Sequence, residues 1–168
     1  MYLGSEEIRK LIKEKGLVSD YIDLEKQLQP NGFDLTVGKV YQICTQGEIA
    51  CDGKITPALI ELPIHIGDFW TLNEGVYIIA FNEILKFPKG IAGIGIQRST
   101  VARCGAMINV SSWDSGYEGR GQNVLVVHNR LGLNLQQNAR VVQIHFIKII
   151  GKNFSYKGNY QHENIRGR

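Results

Sequence analysis

VVQIHFIKII, residues 141–150, is built from valine, isoleucine and phenylalanine around single polar residues, the types that fit a pleated, half-buried surface. Working back along the chain, the same character returns in VLVVHN (124–129), IAGIGI (91–96), VYIIAF (76–81) and VYQIC (40–44). Gly, Asn, Asp or Pro separates each run from the next, so many short strands with turn punctuation predict a mainly β sandwich or barrel. RSTVARCGA (98–106) is the one interruption, and it reads as a single short helix. A second helix opens the chain: Ser5 suits the N-cap, Glu6 and Glu7 suit the first turn, Ile8, Leu11 and Ile12 form one apolar stripe, and Gly16 is a natural stop. Residues 1–150, this helix included, read as one β domain. The polar, glycine-bearing segment 151–168 reads as a flexible C-terminal arm.

Composition narrows the function classes. With 168 residues, 43% hydrophobic and 21% charged, the chain suits one globular domain with a substantial core. A net charge of +3 without a lysine or arginine block does not indicate a nucleic-acid-binding face, whereas a small anionic substrate held by a few arginines fits. Three cysteines without a CxxC spacing argue against disulfides and zinc and suggest a reduced, cytoplasmic setting. The N-terminal MYLGSEEIRKLIKEKG is amphipathic rather than signal-like, and no apolar run approaches the ~18 residues of a membrane span. The four histidines share no ligand spacing, Gly93 and Gly95 form a GxG without its third glycine, and neither a GxSxG nor a P-loop is present.

Four stretches concentrate chemistry, each with a bland reading beside the functional one. In NGFDLTVG (31–38), Asp34 is either a turn carboxylate or a site residue. In QRSTVARCG (97–105), Arg98 and Arg103 flank the hydroxyls of Ser99 and Thr100 at a helix start. Unpaired N–H groups, a hydroxyl and a guanidinium fork there suit a phosphate, and a capped surface helix with solvated arginines is the alternative. In SSWDSGYEGRG (111–121), Asp114 precedes the turn dipeptide Ser115-Gly116. It is either a general base for water or an aspartate stabilising its own turn, and Tyr117 is either core or a platform for a sugar. In NARVVQIHF (138–146), Gln143 is either a satisfied core amide or a ligand contact.

Taken in order, LQPNGFDLTVG, NEILKFPKGIAGIGIQRSTVARCGA, WDSGYEG, NARVVQ and YKGNYQHENI resemble the superfamily of dUTPases and dCTP deaminases, and most of all the archaeal-type dUTPases. The resemblance implies a distorted jelly-roll, β-clip fold and a homotrimer with active sites at subunit interfaces. It implies hydrolysis of dUTP to dUMP and pyrophosphate, with Asp114, Tyr117 and Gly119 matching the dUTPase D-x-x-Y-x-G motif and Asp114 as the base. By the same resemblance Arg98, Ser99, Thr100 and Gln143 bind the phosphates. Asp34 stands near Mg²⁺ through water, Tyr117 packs on deoxyribose, Asn109 lies at the uracil-reading hairpin, and Arg103 supports the water and base site. Tyr160, Arg166 and Arg168 belong to an arm that closes over the nucleotide. The zinc-free deaminases of the superfamily use a glutamate on the strand after the aspartate motif. Counting back from Asn129, that position is Val126 here, so the resemblance favours hydrolysis. A dCTP deaminase, an enzyme doing both reactions, and a non-catalytic nucleotide-binding relative are the alternatives. The segment between Gly119 and Asn129 is longer than in common dUTPases, and their glycine-rich, phenylalanine-bearing C-terminal motif is absent.

Overall fold

The computed structural model describes residues 1–165. Its architecture is organised around the long strand Gly32–Ile43. The first half of this strand pairs with Arg140–Lys148, Phe33 opposite Ile144 and Leu35 opposite Val142. The second half pairs with Gly75–Phe81, Val40 opposite Ile79. Both ladders slip register, between Val37 and Lys39 and between Arg140 and Val142, so the strand bends as it passes from one partner to the other. Gly38 sits at the bend, where a Cβ would come within 2.6 Å of the Asn82 side-chain oxygen, so any larger residue would have to displace Asn82.

Outward from this strand the sheet runs, in spatial order, Ala106–Asn109, Gln122–Val127, Gly75–Phe81, Gly32–Ile43, Arg140–Lys148, Ile91–Gln97 and Ser112–Trp113, with every pair antiparallel. The two ends of that order, Ala106–Asn109 and Ser112–Trp113, are joined in the chain by Val110 and Ser111 alone. The sheet therefore curls until its edges meet, the jelly-roll closure expected of the sequence. Gly95 lies beneath the closing segment. A side chain there would strike Val110 and come within 2.9 Å of the Trp113 ring, and one at Gly93 would meet Phe87 at 2.6 Å. The GxG pair is thus a packing device rather than a phosphate loop.

The curled sheet encloses Phe33, Leu35, Val37, Val40, Ile79, Phe81, Leu125, Val127, Val142, Ile144 and Phe146, all essentially without solvent contact. Each such side chain contributes about 1.5–3 kcal/mol of burial free energy. The strand runs read from the sequence all appear, displaced by one or two residues at their ends, and VYQIC is the end of the longer Gly32–Ile43 strand. The helix Ser5–Lys15 buries Ile8 and Ile12 as its stripe predicts and ends at Gly16 in the left-handed region (φ 65°). Its cap differs from expectation. Gly4 is the N-cap and Ser5 the first helical residue, whose N–H donates to the Pro30 carbonyl at 2.9 Å. A backbone acceptor from the neighbouring loop does what a serine hydroxyl does elsewhere.

Glu83 ties the N-terminal segment to the sheet. Its carboxylate is buried and accepts from Gln27 Nε2 (2.7 Å), the Thr36 hydroxyl (2.6 Å) and the Thr36 amide (2.9 Å). Gln27 in turn donates to the Asp34 carbonyl and accepts from the Ile22 and Asp23 amides. Burial pushes the Glu83 carboxyl above its ordinary range, against these donors, which favour the charged form. Replacing Glu83 by alanine strands the Gln27 and Thr36 donors in the interior, and about 3 kcal/mol of stability should be lost in urea denaturation. A loss below ~1 kcal/mol would show the network to be dispensable.

Candidate active site

Asp34 is not a turn residue, because the strand runs unbroken through Gly32 and Gly38, and its side chain is buried at mid-strand. Cross-strand register sets Gln143 directly opposite, and Gln143 Nε2 donates to Asp34 Oδ1 at 3.2 Å. Arg98 Nε and Arg140 Nη1 meet Asp34 Oδ2 at 3.3 and 3.2 Å, and Arg140 also donates to the Lys26 carbonyl at 2.6 Å. One carboxylate between two guanidiniums leaves an excess positive charge on the wall of a small cavity of about 230 Å³. Ile96, Gln97, Arg98, Ser99, Gln143 and His145 line it. Gln143 is therefore both bonded and exposed to the cavity, so the two readings of it coexist. The helix begun by Ser99 is only five residues long, Ser99–Arg103, with Ser99, Thr100 and Arg103 exposed. Its dipole is correspondingly small, and the positive charge bordering the cavity comes chiefly from Arg98.

A second and larger cleft, about 470 Å³, lies between the sheet and the C-terminal segment. Asn109, Asp114, Tyr117, Gln122, Asn123 and Val124 line it, with Tyr156, Tyr160 and Glu163 contributed by the arm. The Asp114 carboxylate is exposed at its edge and accepts no hydrogen bond among the described residues. The turn it begins is closed by backbone instead, with the Tyr117 amide donating to the Asp114 carbonyl at 3.1 Å and Gly116 at φ 87°. The capping role open to this aspartate is thus not the one it plays. Tyr117 is 4% exposed and packs edge-on against Tyr156, with its hydroxyl donating to Glu163 Oε1 at 2.7 Å. Burial, then the Glu163 contact, raises the Tyr117 pKa, and burial likewise raises the Glu163 carboxyl.

The structure thus gathers the site residues of the sequence into two sets. Arg98, Ser99 and Gln143 line one cavity with Asp34 buried behind them, Asn109, Asp114, Tyr117 and Tyr160 line the other, and Thr100 and Arg103 line neither. Within a single chain the two cavities share no lining residue. Arg166 and Arg168 lie outside the described residues. Sequence reasoning missed Arg140, which shares Asp34 with Arg98, and Glu163, which the arm carries into the cleft. Arg140 stood in the quoted NARVVQ, three residues before Gln143, whereas nothing in the tail distinguished Glu163 from a solvated acid. Val126 stands opposite Val76 on one neighbouring strand and Met107 on the other, so neither brings a carboxylate to it. Asp34 fits a metal ligand poorly, since its oxygens are held by two guanidiniums and an amide, and no cluster of three acidic, histidine or cysteine side chains is present among the described residues. No helix among the described residues is long and apolar enough to cross a membrane.

Comparison with known proteins places this geometry in context. A family model described as dCTP deaminase-like matches residues 2–149. A protein of Archaeoglobus fulgidus, named probable deoxyuridine 5'-triphosphate nucleotidohydrolase, is 42% identical over 97% of both chains. A protein of the same name from Methanosarcina mazei is 39% identical over 96% of this chain and 97% of its own. Among solved structures, the 2'-deoxycytidine 5'-triphosphate deaminase of Agrobacterium tumefaciens superposes on 86% of this chain with a TM-score of 0.67 at 18% identity, which establishes the shared fold. This chain spans 47% of that deaminase chain.

Burial raises the Asp34 carboxyl by more than Arg98, Gln143 and Arg140 lower it. A carboxyl raised in the folded state contributes stability that is full below the ordinary carboxylate range and is lost as pH rises through its raised pKa. Asp34→Asn removes this titration, so the decline in urea-denaturation stability from the carboxylate range toward neutrality should flatten. An undiminished slope would assign it to Glu83 and Glu163, which burial raises in the same direction.

Proposed function

The chain belongs to the dCTP deaminase-like family, and within it we propose that it hydrolyses dUTP to dUMP and pyrophosphate. The observation that carries this reading is the Asp114 carboxylate, exposed at the edge of the cleft and committed to no other bond among the described residues, while the strand position of a deaminase acid holds Val126 between apolar neighbours. The names of the Archaeoglobus and Methanosarcina relatives support the same choice.

In the proposed reaction, water attacks the α-phosphorus and gives up a proton to Asp114. A bond forms between the water oxygen and the α-phosphorus, and the bond to the bridging oxygen breaks, its electron pair leaving with pyrophosphate. General-base assistance of this kind is typically worth ~10²–10⁴-fold. Arg98, Ser99, Thr100 and Gln143 hold the phosphate chain, with Asp34 fixing the Arg98 fork, and their stabilisation of the developing charge is the larger contribution. Mg²⁺ would supply charge neutralisation to the triphosphate, with Asp34, its oxygens already engaged, reaching it only indirectly through water. Asn109 and Tyr117 take the base and sugar end, and Arg103 supports the water and base site. The arm, with Tyr160 and the terminal arginines Arg166 and Arg168, completes the enclosure.

Separate cavities for the phosphate and base ends support a site shared between subunits, and hence a homotrimer. The exposed Ile94, Ile96, Val76 and Met107 offer apolar surface for such contacts. Sedimentation should report a trimer, and a fully active monomer would refute a shared site. Incubation with dUTP should yield dUMP and pyrophosphate, and incubation with dCTP should release no ammonia. Stoichiometric ammonia would transfer the chain to the deaminases, and binding without turnover would make it a nucleotide-binding relative. Asp114→Asn should lower kcat at least ~10²-fold with dUTP still bound, and near-normal turnover would place the base elsewhere.

A further inference from the structure

The arm is fastened to the turn that carries Asp114 and Tyr117. Gln161 Nε2 donates to the Gly116 carbonyl (3.1 Å), the His162 amide to the Glu118 carbonyl (2.7 Å), and the Arg120 amide to the Glu163 carbonyl (2.9 Å). These backbone-directed bonds tether the arm to the turn whichever side chain stands at 163, and leave the seating of its cleft-facing side to side-chain contacts. The side-chain contact is separate: the Glu163 carboxylate enters the cleft wall and accepts from the Tyr117 hydroxyl at 2.7 Å. Gly119 makes room for it, since a Cβ there would strike the Tyr117 hydroxyl and approach Glu163 Cγ to 3.1 Å. Among the described residues Lys54 is the cation whose charge acts on Glu163, and its Nζ is itself bonded to the Tyr160 hydroxyl at 2.6 Å.

We propose that Glu163 is a positioning residue for the nucleotide cleft: by accepting the Tyr117 hydroxyl it sets the Tyr117 ring and latches the arm as the cleft wall. The cleft has its volume of about 470 Å³, within the range of small-molecule sites, with the arm already in place as one of its walls. Loosening the latch therefore dismantles a formed binding surface rather than uncovering a blocked one. A half-buried phenol–carboxylate pair suits this task because the phenol has one proton to give and, among the described residues, no other acceptor. The contact acts on binding, not on the proton transfer at Asp114, which stands at the far side of the turn and shares no hydrogen bond with Glu163 among the described residues.

This inference rests on the proposed hydrolysis for its kinetic readout but has a second readout that does not. With dUTP, Glu163→Ala should raise KM about tenfold, the factor that one hydrogen bond to a charged group carries, with kcat within about twofold of wild type. Glu163→Gln keeps an acceptor oxygen and should restore KM, and Tyr117→Phe combined with Glu163→Ala should be no worse than the worse single variant. Independently, trypsin cleavage after the exposed Lys157 should be faster in Glu163→Ala than in wild type and Glu163→Gln. An unchanged KM in Glu163→Ala, a loss of kcat in place of KM, or a glutamine variant as impaired as alanine would overturn the proposal. If wild type itself fails to turn over dUTP, the proposed function falls, and equal cleavage rates in the three proteins would then overturn the latch separately.

Discussion

Two residues, Val110 and Ser111, are all the chain has to pass from one edge of its sheet to the other. That short tether forces the curl of the sheet, and the rest follows from it. The closing strand Ser112–Trp113 lies across Gly93 and Ile94, glycine beneath it gives the Trp113 ring its seat, and the next residue is Asp114. The carboxylate proposed to activate water is thus held at the seam of the curled sheet. Its position is set by backbone pairing rather than by a partner of its own, which leaves both oxygens available. Catalytic groups held by rigid elements lose less geometry to thermal motion than groups on free loops.

Two aspartates show how one residue type is put to opposite uses. Asp34 has no solvent contact, and its charge is engaged by Arg98 and Arg140 with Gln143 bonding its second oxygen. A buried carboxylate whose oxygens are all engaged has no free edge for a water to approach and serves as a clamp, orienting each guanidinium that meets it. Asp114, exposed and unengaged, has the converse properties. In the proposed reaction Arg98 would meet the phosphates with its geometry set beforehand, which reduces the reorganisation that charge development requires.

The strands were legible because valine, isoleucine and phenylalanine recur in short runs, and their order alone made a mainly β domain the natural reading. Ser5 misled because a cap is any acceptor in the right place, and the Pro30 carbonyl comes from a loop whose position no local rule specifies. Asp34 stayed open between turn and site because its flanking glycines suggest a turn, whereas Gly38 lets the strand bend past Asn82 and Gly32 lies against the Ile144 carbonyl and the Gln143 side chain. The WDSGYEG and RSTVAR motifs supplied candidate site residues, but not that Asp114 and Arg98 line separate cavities of one chain, which is a property of the curl. Glu163 was invisible, since an acid in a polar tail has no signature until the tail meets Tyr117.

The long strand Gly32–Ile43 draws its two partners from distant parts of the chain, Gly75–Phe81 and then Arg140–Lys148. During synthesis the first partner emerges soon after, but the second follows roughly 100 residues behind Phe33–Thr36, a delay of about 5–20 s at ordinary translation rates. Through that interval the half-strand carrying Phe33, Asp34 and Leu35 has an open edge, and the buried carboxylate has neither Arg98 nor Arg140 in place. The last strand is therefore what closes this edge, and a chain ending before residue 140 would leave it unpaired, the kind of exposed edge that other strands can join.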